Sequence, residues 1–145
     1  MTFGDAADGA VLDASVALAW VLPGETSDEA LRLRNLAVEE PITLFCPPTF
    51  WYEVANALWV AIRRERMSNE AAQQALGALR DFLVEPHEVD AAACLSLSTE
   101  YGLAVYDAAY IVLALDRKAP LWSLDREMAS VARNMGIWVR PDQEG

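Results

Sequence analysis

The chain has 145 residues, 54% of them hydrophobic, and 22 acidic against 11 basic side chains give a formal net charge of −11. That length and hydrophobic content point to one folded domain with its own core, and they exclude a disordered chain or a scaffold that depends on disulfides. A surface this acidic repels a phosphate backbone, so any nucleic-acid contact has to be local.

In chain order, residues 10–12 read as a short buried strand ending at Asp13, and 15–22 as a small-residue helix stopped by Pro23-Gly24. Ser27 or Thr26 caps a second helix to about 38, with Ala30, Leu31, Leu36 and Ala37 on its apolar side. A strand over 43–46 is broken by Pro47-Pro48-Thr49, and Pro48 and Thr49 suit the first positions of a long helix to about 66. Ser68-Asn69-Glu70 opens a helix to about 82 in which Ala71, Ala75, Leu76, Leu79 and Phe82 recur at helical spacing. Residues 84–89 form a polar edge strand, Asp90 caps a helix ending near Tyr101-Gly102, and a further helix covers 107–117. A strand over 120–124, a helix over 125–135 stopped by Gly136, and a strand over 137–139 complete the pattern. With no internal repeat or linker, the expected architecture is a single-domain, three-layer α/β/α sandwich with a mostly parallel five-stranded sheet and a short N-terminal extension over 1–9.

The longest apolar runs, 54–62 interrupted by Asn56 and 108–115, fall short of the roughly 18 to 20 residues that span a bilayer. The first residues are acidic where a secretory signal is basic and then apolar, so cytoplasm is the expected compartment. Cys46 and Cys94 lack the spacing and histidine neighbours of a zinc site and read as buried thiols. Basic residues concentrate at Arg63, Arg64 and Arg66, where cations oppose a helix dipole, and at Arg32 and Arg34.

Asp13, Glu53, Asp107 and Asp125 stand where strands hand over to helices. In a parallel sheet those points share one edge, so acids distant in sequence can converge on one ion. Asp13 and Asp125 also have a purely local use as helix N-caps. Glu53, inside the apolar stretch 50–59, has no such use, and a lone carboxylate there is costly unless paired or coordinated. Asn56 follows it by three residues, and Asp107 opens a helix apolar nearly all round. Carboxylate oxygens suit Mg²⁺ or Mn²⁺, and His87 reads as a surface residue remote from the acids, so the pattern points to a metal-dependent nuclease.

The segments Val-Leu-Asp-Ala-Ser, Glu-Val-Ala-Asn-Ala-Leu, Tyr-Asp-Ala-Ala-Tyr and Trp-Ser-Leu-Asp, in that order over 11–139, resemble the PIN domain in its VapC-type toxin branch. The resemblance implies Mg²⁺- or Mn²⁺-dependent endoribonuclease activity in which water activated by the ion attacks a phosphodiester bond. It implies Asp13, Glu53, Asp107 and Asp125 as catalytic and metal-binding acids, with Ser15, Asn56 and Ser123 as supporting groups. Its implied partners are an RNA substrate, a cognate antitoxin covering the acidic cleft and a second copy of the chain in a homodimer, with no membrane. Trp51, Tyr52 and Trp59 are candidates for a dimer or antitoxin groove and equally for core. Asp5 and Asp8 are read as surface charges without a role.

Other classes fit less well. A phosphoaspartate receiver wants a lysine at its acidic pocket, whereas the only lysine, Lys118, precedes a strand at the opposite edge. The phosphate-binding loops Gly-x-x-x-x-Gly-Lys-Ser/Thr and Gly-x-Gly-x-x-Gly are absent. The remaining alternative is a catalytically silent PIN-fold binding module, whose mark is the loss of one or more acids; all four are present.

Overall fold

The computed structural model describes residues 9–142. The strands are β1 (Gly9–Leu12), β2 (Thr43–Cys46), β3 (Glu85–Pro86), β4 (Leu121–Trp122) and β5 (Val139–Arg140). The helices are α1 (Ala14–Val21), α2 (Asp28–Glu39), α3 (Phe50–Arg63), α4 (Asn69–Arg80), α5 (Ala91–Tyr101), α6 (Val105–Arg117) and α7 (Arg126–Asn134). All strand pairings are parallel, in the order β3-β2-β1-β4-β5. The expected five-stranded α/β/α arrangement is present.

The chain lays β2 and β3 on one side of β1, then crosses to lay β4 and β5 on the other. Helices α1 to α4 pack among themselves as one layer, while α5, α6 and α7 pack together on β1, β4 and β5 as the other. The direction of winding therefore reverses between β1 and β4, and in open parallel sheets the ligand crevice lies at the carboxyl ends of the strands flanking such a reversal. Strand β1 is buried along its whole length, as a strand covered on both faces must be. Backbone N–H groups of Val11 and Asp13 donate to Pro120 and Trp122 carbonyls at 2.9 and 3.0 Å, locking β1 against β4 directly below that crevice.

Side-chain caps fix where several helices begin. Asp13, Ser27, Ser68, Asp90 and Asp125 each accept a hydrogen bond from the backbone N–H three residues on. Ser27 is the cap of α2; Thr26 instead donates its hydroxyl to the Ala19 carbonyl at 3.2 Å. At its far end α5 stops at Gly102, whose φ of 76° satisfies a left-handed cap.

Several boundaries differ from expectation. Helix α3 ends at Arg63 rather than near 66, because Glu65 adopts a left-handed φ of 57°. Helix α6 starts at Val105, which places Asp107 inside its first turn. Strands β3 and β4 are two residues each, shorter than 84–89 and 120–124, and β5 is 139–140 rather than 137–139. Pro86 has no N–H to continue a ladder at this sheet edge, and pairing ends with the His87 N–H on the Cys46 carbonyl. Gly9 belongs to β1, not to the extension; Asp5 and Asp8 lie outside the described residues.

Cys46 and Cys94 are free and buried, as expected. Trp20 and Trp122 are core, and Trp51 is half-buried against it. Trp59, Trp138 and Tyr52 are exposed, Tyr52 at 77%. Among the described residues no helix is long and apolar enough to cross a membrane.

Candidate active site

Asp13 is the first residue after β1 and is 2% exposed. The Ser15 hydroxyl and the Val16 N–H donate to its Oδ1 at 2.5 and 3.2 Å, and the Ser123 hydroxyl donates to Oδ2 at 2.6 Å. The serines are braced in turn: Leu124 N–H donates to Ser15 Oγ at 2.9 Å and Asp125 N–H to Ser123 Oγ at 3.0 Å. One network thus ties the exit of β1 to the exit of β4. Burial pushes the Asp13 acid up to about 6; the hydrogen bonds from Ser123, Ser15 and Val16 oppose that rise, and the nearby Asp125 charge adds to it.

Glu53 projects from the first turn of α3. Thr49 donates its hydroxyl to Glu53 Oε2 at 2.8 Å, and Tyr110 of α6 donates to the same oxygen at 3.2 Å. Burial raises the Glu53 acid; the Thr49 and Tyr110 bonds lower it, and the Asp107 charge raises it further. Asp107 is half-buried on α6, raised first by burial, then by the charges of Asp125 and Glu127. Asp125 caps α7 through its Oδ1 and Met128 N–H at 3.1 Å. The Tyr110 hydroxyl is driven well above the usual phenol range by burial and by the charges of Glu53 and Asp13. Cys46, at the end of β2, is pushed up to about 12 by burial and by Glu53.

These mutual influences place Asp13, Asp125, Asp107 and Glu53 in one neighbourhood: Asp13 feels Asp125, Asp107 feels Asp125, and Glu53 feels Asp107. Asp13 and Asp125 both serve as helix caps and also lie close enough for the charge of Asp125 to act on Asp13. Among the described residues no arginine, lysine or histidine pairs with them; the ion pair there is His87 with Glu85 at 3.3 Å. As they stand, no three acids, histidines or cysteines among the described residues enclose a single point as ligands. The acids form a chain of like charge, not a closed cage. A hard-oxygen donor set that is partly desolvated and lacks a protein counter-cation fits Mg²⁺ or Mn²⁺ in chemistry.

The supporting residues separate. Ser15 and Ser123 hold Asp13 directly, whereas Asn56 is exposed and no hydrogen bond joins it to the acids among the described residues. Its offset of three residues from Glu53 turns it outward by part of a helical turn. His87 is half-buried, ring-packed on Phe45 at 5.2 Å and hydrogen-bonded to Arg117, remote in role from the acids. Thr49, Tyr110 and Glu127 were not legible as site residues. Thr49 precedes Glu53 by one helical turn and Tyr110 follows Asp107 by three residues, spacings that carry this signal once the acids are known. A phenol in a helix apolar all round also has to find a partner for its hydroxyl.

Comparison with known proteins bears on the family and the fold. The family model for the PIN domain matches residues 10–134. Ribonuclease VapC3 of Pyrobaculum aerophilum is 34% identical over 123 residues, covering 82% of this chain and 91% of that protein. Several solved structures share the fold. PAE2754 from Pyrobaculum aerophilum has a TM-score of 0.68 at 23% identity, covering 90% of this chain and 83% of its own. VapC20 from Mycobacterium tuberculosis, described as a sarcin-ricin loop cleaving toxin, has a TM-score of 0.55 at 14% identity, with 83% and 93% covered. FitAcB from Neisseria gonorrhoeae has a TM-score of 0.59 at 13% identity, with 90% and 95% covered. With the family match spanning nearly all of the sheet and its helices, and a relative alike over most of its length, the chain belongs to the PIN domain family.

Proposed function

We propose that the chain is a single-domain, Mg²⁺- or Mn²⁺-dependent endoribonuclease and the toxin of a toxin-antitoxin pair, acting in the cytoplasm. The observation that carries the reading is the gathering of four acids from β1, α3, α6 and β4 at the winding reversal, with no cation paired to them among the described residues. The 34% identity to a ribonuclease supports RNA as the substrate.

Asp13 and Asp107 are assigned as direct ligands, and Asp125 and Glu53 as direct or water-mediated ones. A bound divalent ion supplies charge neutralisation at the phosphoryl group and lowers the pKa of a water molecule. The protein supplies the rest. Ser15 and Ser123 keep both oxygens of Asp13 in place, so that this buried acid does not swing into its own helix cap alone. Asp107, half-buried and with no side-chain hydrogen bond among the described residues, has the freedom to rotate toward a ligand, whereas Asp125 keeps Oδ1 on its helix cap and has Oδ2 to offer. A carboxylate of the group accepts the proton released by the attacking water. Burial raises the pKa values of Asp13, Glu53 and Asp107, which makes their carboxylates better proton acceptors for that task.

The antitoxin would cover the acidic cleft, an arginine of its peptide replacing the missing counter-cation. Exposed Tyr52 and Trp59 on α3 offer apolar area for that partner or for a homodimer, with Arg63 lying 4.8 Å over the Trp59 ring.

Cleavage of a mixed structured RNA pool by the purified protein, with Mg²⁺, with Mn²⁺ and with EDTA, tests the reading beside Asp13→Asn and Asp107→Asn. Metal-dependent cutting lost in both variants is expected. A folded wild-type protein that leaves every RNA intact in both metals would sink it in favour of a PIN-fold binding module.

A further inference from the structure

Two hydroxyls from different elements end on one atom. Tyr110 on α6 reaches Glu53 Oε2 at 3.2 Å across 57 residues of sequence, and Thr49 reaches the same Oε2 at 2.8 Å from the residue before α3. Oε1 accepts no hydrogen bond among the described residues. The Tyr110 side chain is 1% exposed, so its hydroxyl has no water to turn to, and a carboxylate oxygen is the acceptor it has been given.

We propose that Tyr110 and Thr49 are positioning residues that commit Oε2 of Glu53 to the protein and leave Oε1 as its one working oxygen. The proposal rests on the nuclease reading above. A carboxylate pinned at one oxygen from two directions cannot rotate freely about its last bond, and it cannot chelate through both oxygens without losing those two donors. Glu53 is thereby restricted to a single point of contact: one ligand position, or one water.

Tyr110 also lies three residues after Asp107 on the same helix. The helix that presents one acid therefore fixes the acid of α3, and the phenol sets the spacing between them. Without the hydroxyl, Glu53 keeps only the local Thr49 bond from its own helix and is no longer referenced to α6. Without Thr49, the carboxylate is free to tilt about the phenol. Both losses act through Glu53 and through nothing else in the network around Asp13.

The test compares wild type with Tyr110→Phe, Thr49→Val, Thr49→Ser, the double variant Tyr110→Phe/Thr49→Val and Glu53→Gln. Steady-state cleavage of RNA with Mn²⁺ and calorimetric titration with Mn²⁺ alone are measured on each, after thermal melting shows that it folds. Tyr110→Phe and Thr49→Val are expected to lower kcat about 10- to 100-fold and to weaken Mn²⁺ binding, the range usual for groups that orient a ligand. KM stays within about twofold, because the contact with RNA is untouched. Thr49→Ser restores the wild-type values, and the double variant falls no lower than Glu53→Gln, since both hydroxyls act through that carboxylate. Should Tyr110→Phe not fold, Thr49→Val against Thr49→Ser carries the test.

A folded Tyr110→Phe with wild-type kcat and wild-type Mn²⁺ affinity overturns the positioning role and leaves the nuclease reading standing. If wild type takes up Mn²⁺ but cuts no RNA, the affinities decide: weaker binding in Tyr110→Phe supports the role and equal binding overturns it. Wild type that neither cuts RNA nor takes up Mn²⁺ overturns the nuclease reading and this proposal with it.

Discussion

Ser123, one residue past β4, donates its hydroxyl to Oδ2 of Asp13, one residue past β1, at 2.6 Å across 110 residues of chain. Both side chains are buried, at 4% and 2% exposure, so water cannot replace the bond. Ser123→Ala also removes the acceptor of Asp125 N–H. Leaving a buried acceptor unsatisfied costs about 1–3 kcal/mol. The expected result is a loss of about 2 kcal/mol in denaturant unfolding, with weaker Mn²⁺ binding, because the bond that favours ionised Asp13 has gone. Unchanged stability and unchanged Mn²⁺ binding would show that the latch between the two strand ends does not matter.

The site makes the metal-free protein less stable as it ionises. Asp13 titrates at about 6 in the folded state against an ordinary 3.8, so between those values the unfolded chain has already given up a proton that the folded chain keeps. The unfolded state then binds fewer protons, and stability falls as pH rises through that window. The full interval corresponds to about 3 kcal/mol. Glu53 and Asp107 are shifted in the same direction. Unfolding by urea in EDTA should give a higher midpoint at pH 5 than at pH 7.5, and saturating Mn²⁺ should reduce the difference by favouring the ionised acids. A midpoint in EDTA that rises from pH 5 to 7.5 would contradict this account of the cluster.

Asp107→Asn separates stability from function. Ionised Asp107 is disfavoured by burial and by the charges of Asp125 and Glu127, so its neutral amide relieves repulsion in the apo protein. The variant should melt higher than wild type in EDTA, yet gain little from Mn²⁺, whereas wild type should rise with Mn²⁺ through preferential binding to the folded state. At a free ion concentration of 100 times Kd, that gain is about 2.7 kcal/mol. Thermal melting of both proteins with and without Mn²⁺ checks this. Equal Mn²⁺ shifts in the two proteins would remove Asp107 from the ligand set.

Much of this site is legible in the sequence because its parts are local. The caps Asp13, Asp90 and Asp125 follow from side chain and position, and β2 matches its expected span of 43–46. Glu53 stands out because a carboxylate in an apolar stretch needs a partner. That partner is beyond reach of sequence reasoning: Tyr110 meets Glu53 only after α3 and α6 are placed, from opposite helical layers, around the sheet. Thr49 reads only as a residue suited to the start of α3, whereas its hydroxyl is spent on Glu53. Strands of two residues leave too few side chains for an alternating pattern, which is why β3, β4 and β5 are misjudged in length.

Gly9 shows how tightly the strands below the site are set. A Cβ on Gly9 would clash with Phe45 Cε2 and lie 2.8 Å from the Thr43 carbonyl oxygen. The carbonyl is backbone in the neighbouring strand β2, paired with Gly9 in register, so it cannot step aside without moving the ladder. The Phe45 ring is equally constrained, with Arg117 4.9 Å over its face and His87 at 5.2 Å. Gly9→Ala therefore forces overpacking, for which about 1–3 kcal/mol of destabilisation is typical. Because Asp13 follows directly on β1, a displaced strand should also shift the acid against Ser123. The expected outcome is a lower urea midpoint together with weaker Mn²⁺ binding by calorimetry. A Gly9→Ala variant as stable as wild type would mean that β1 and β2 separate more easily than this close contact implies.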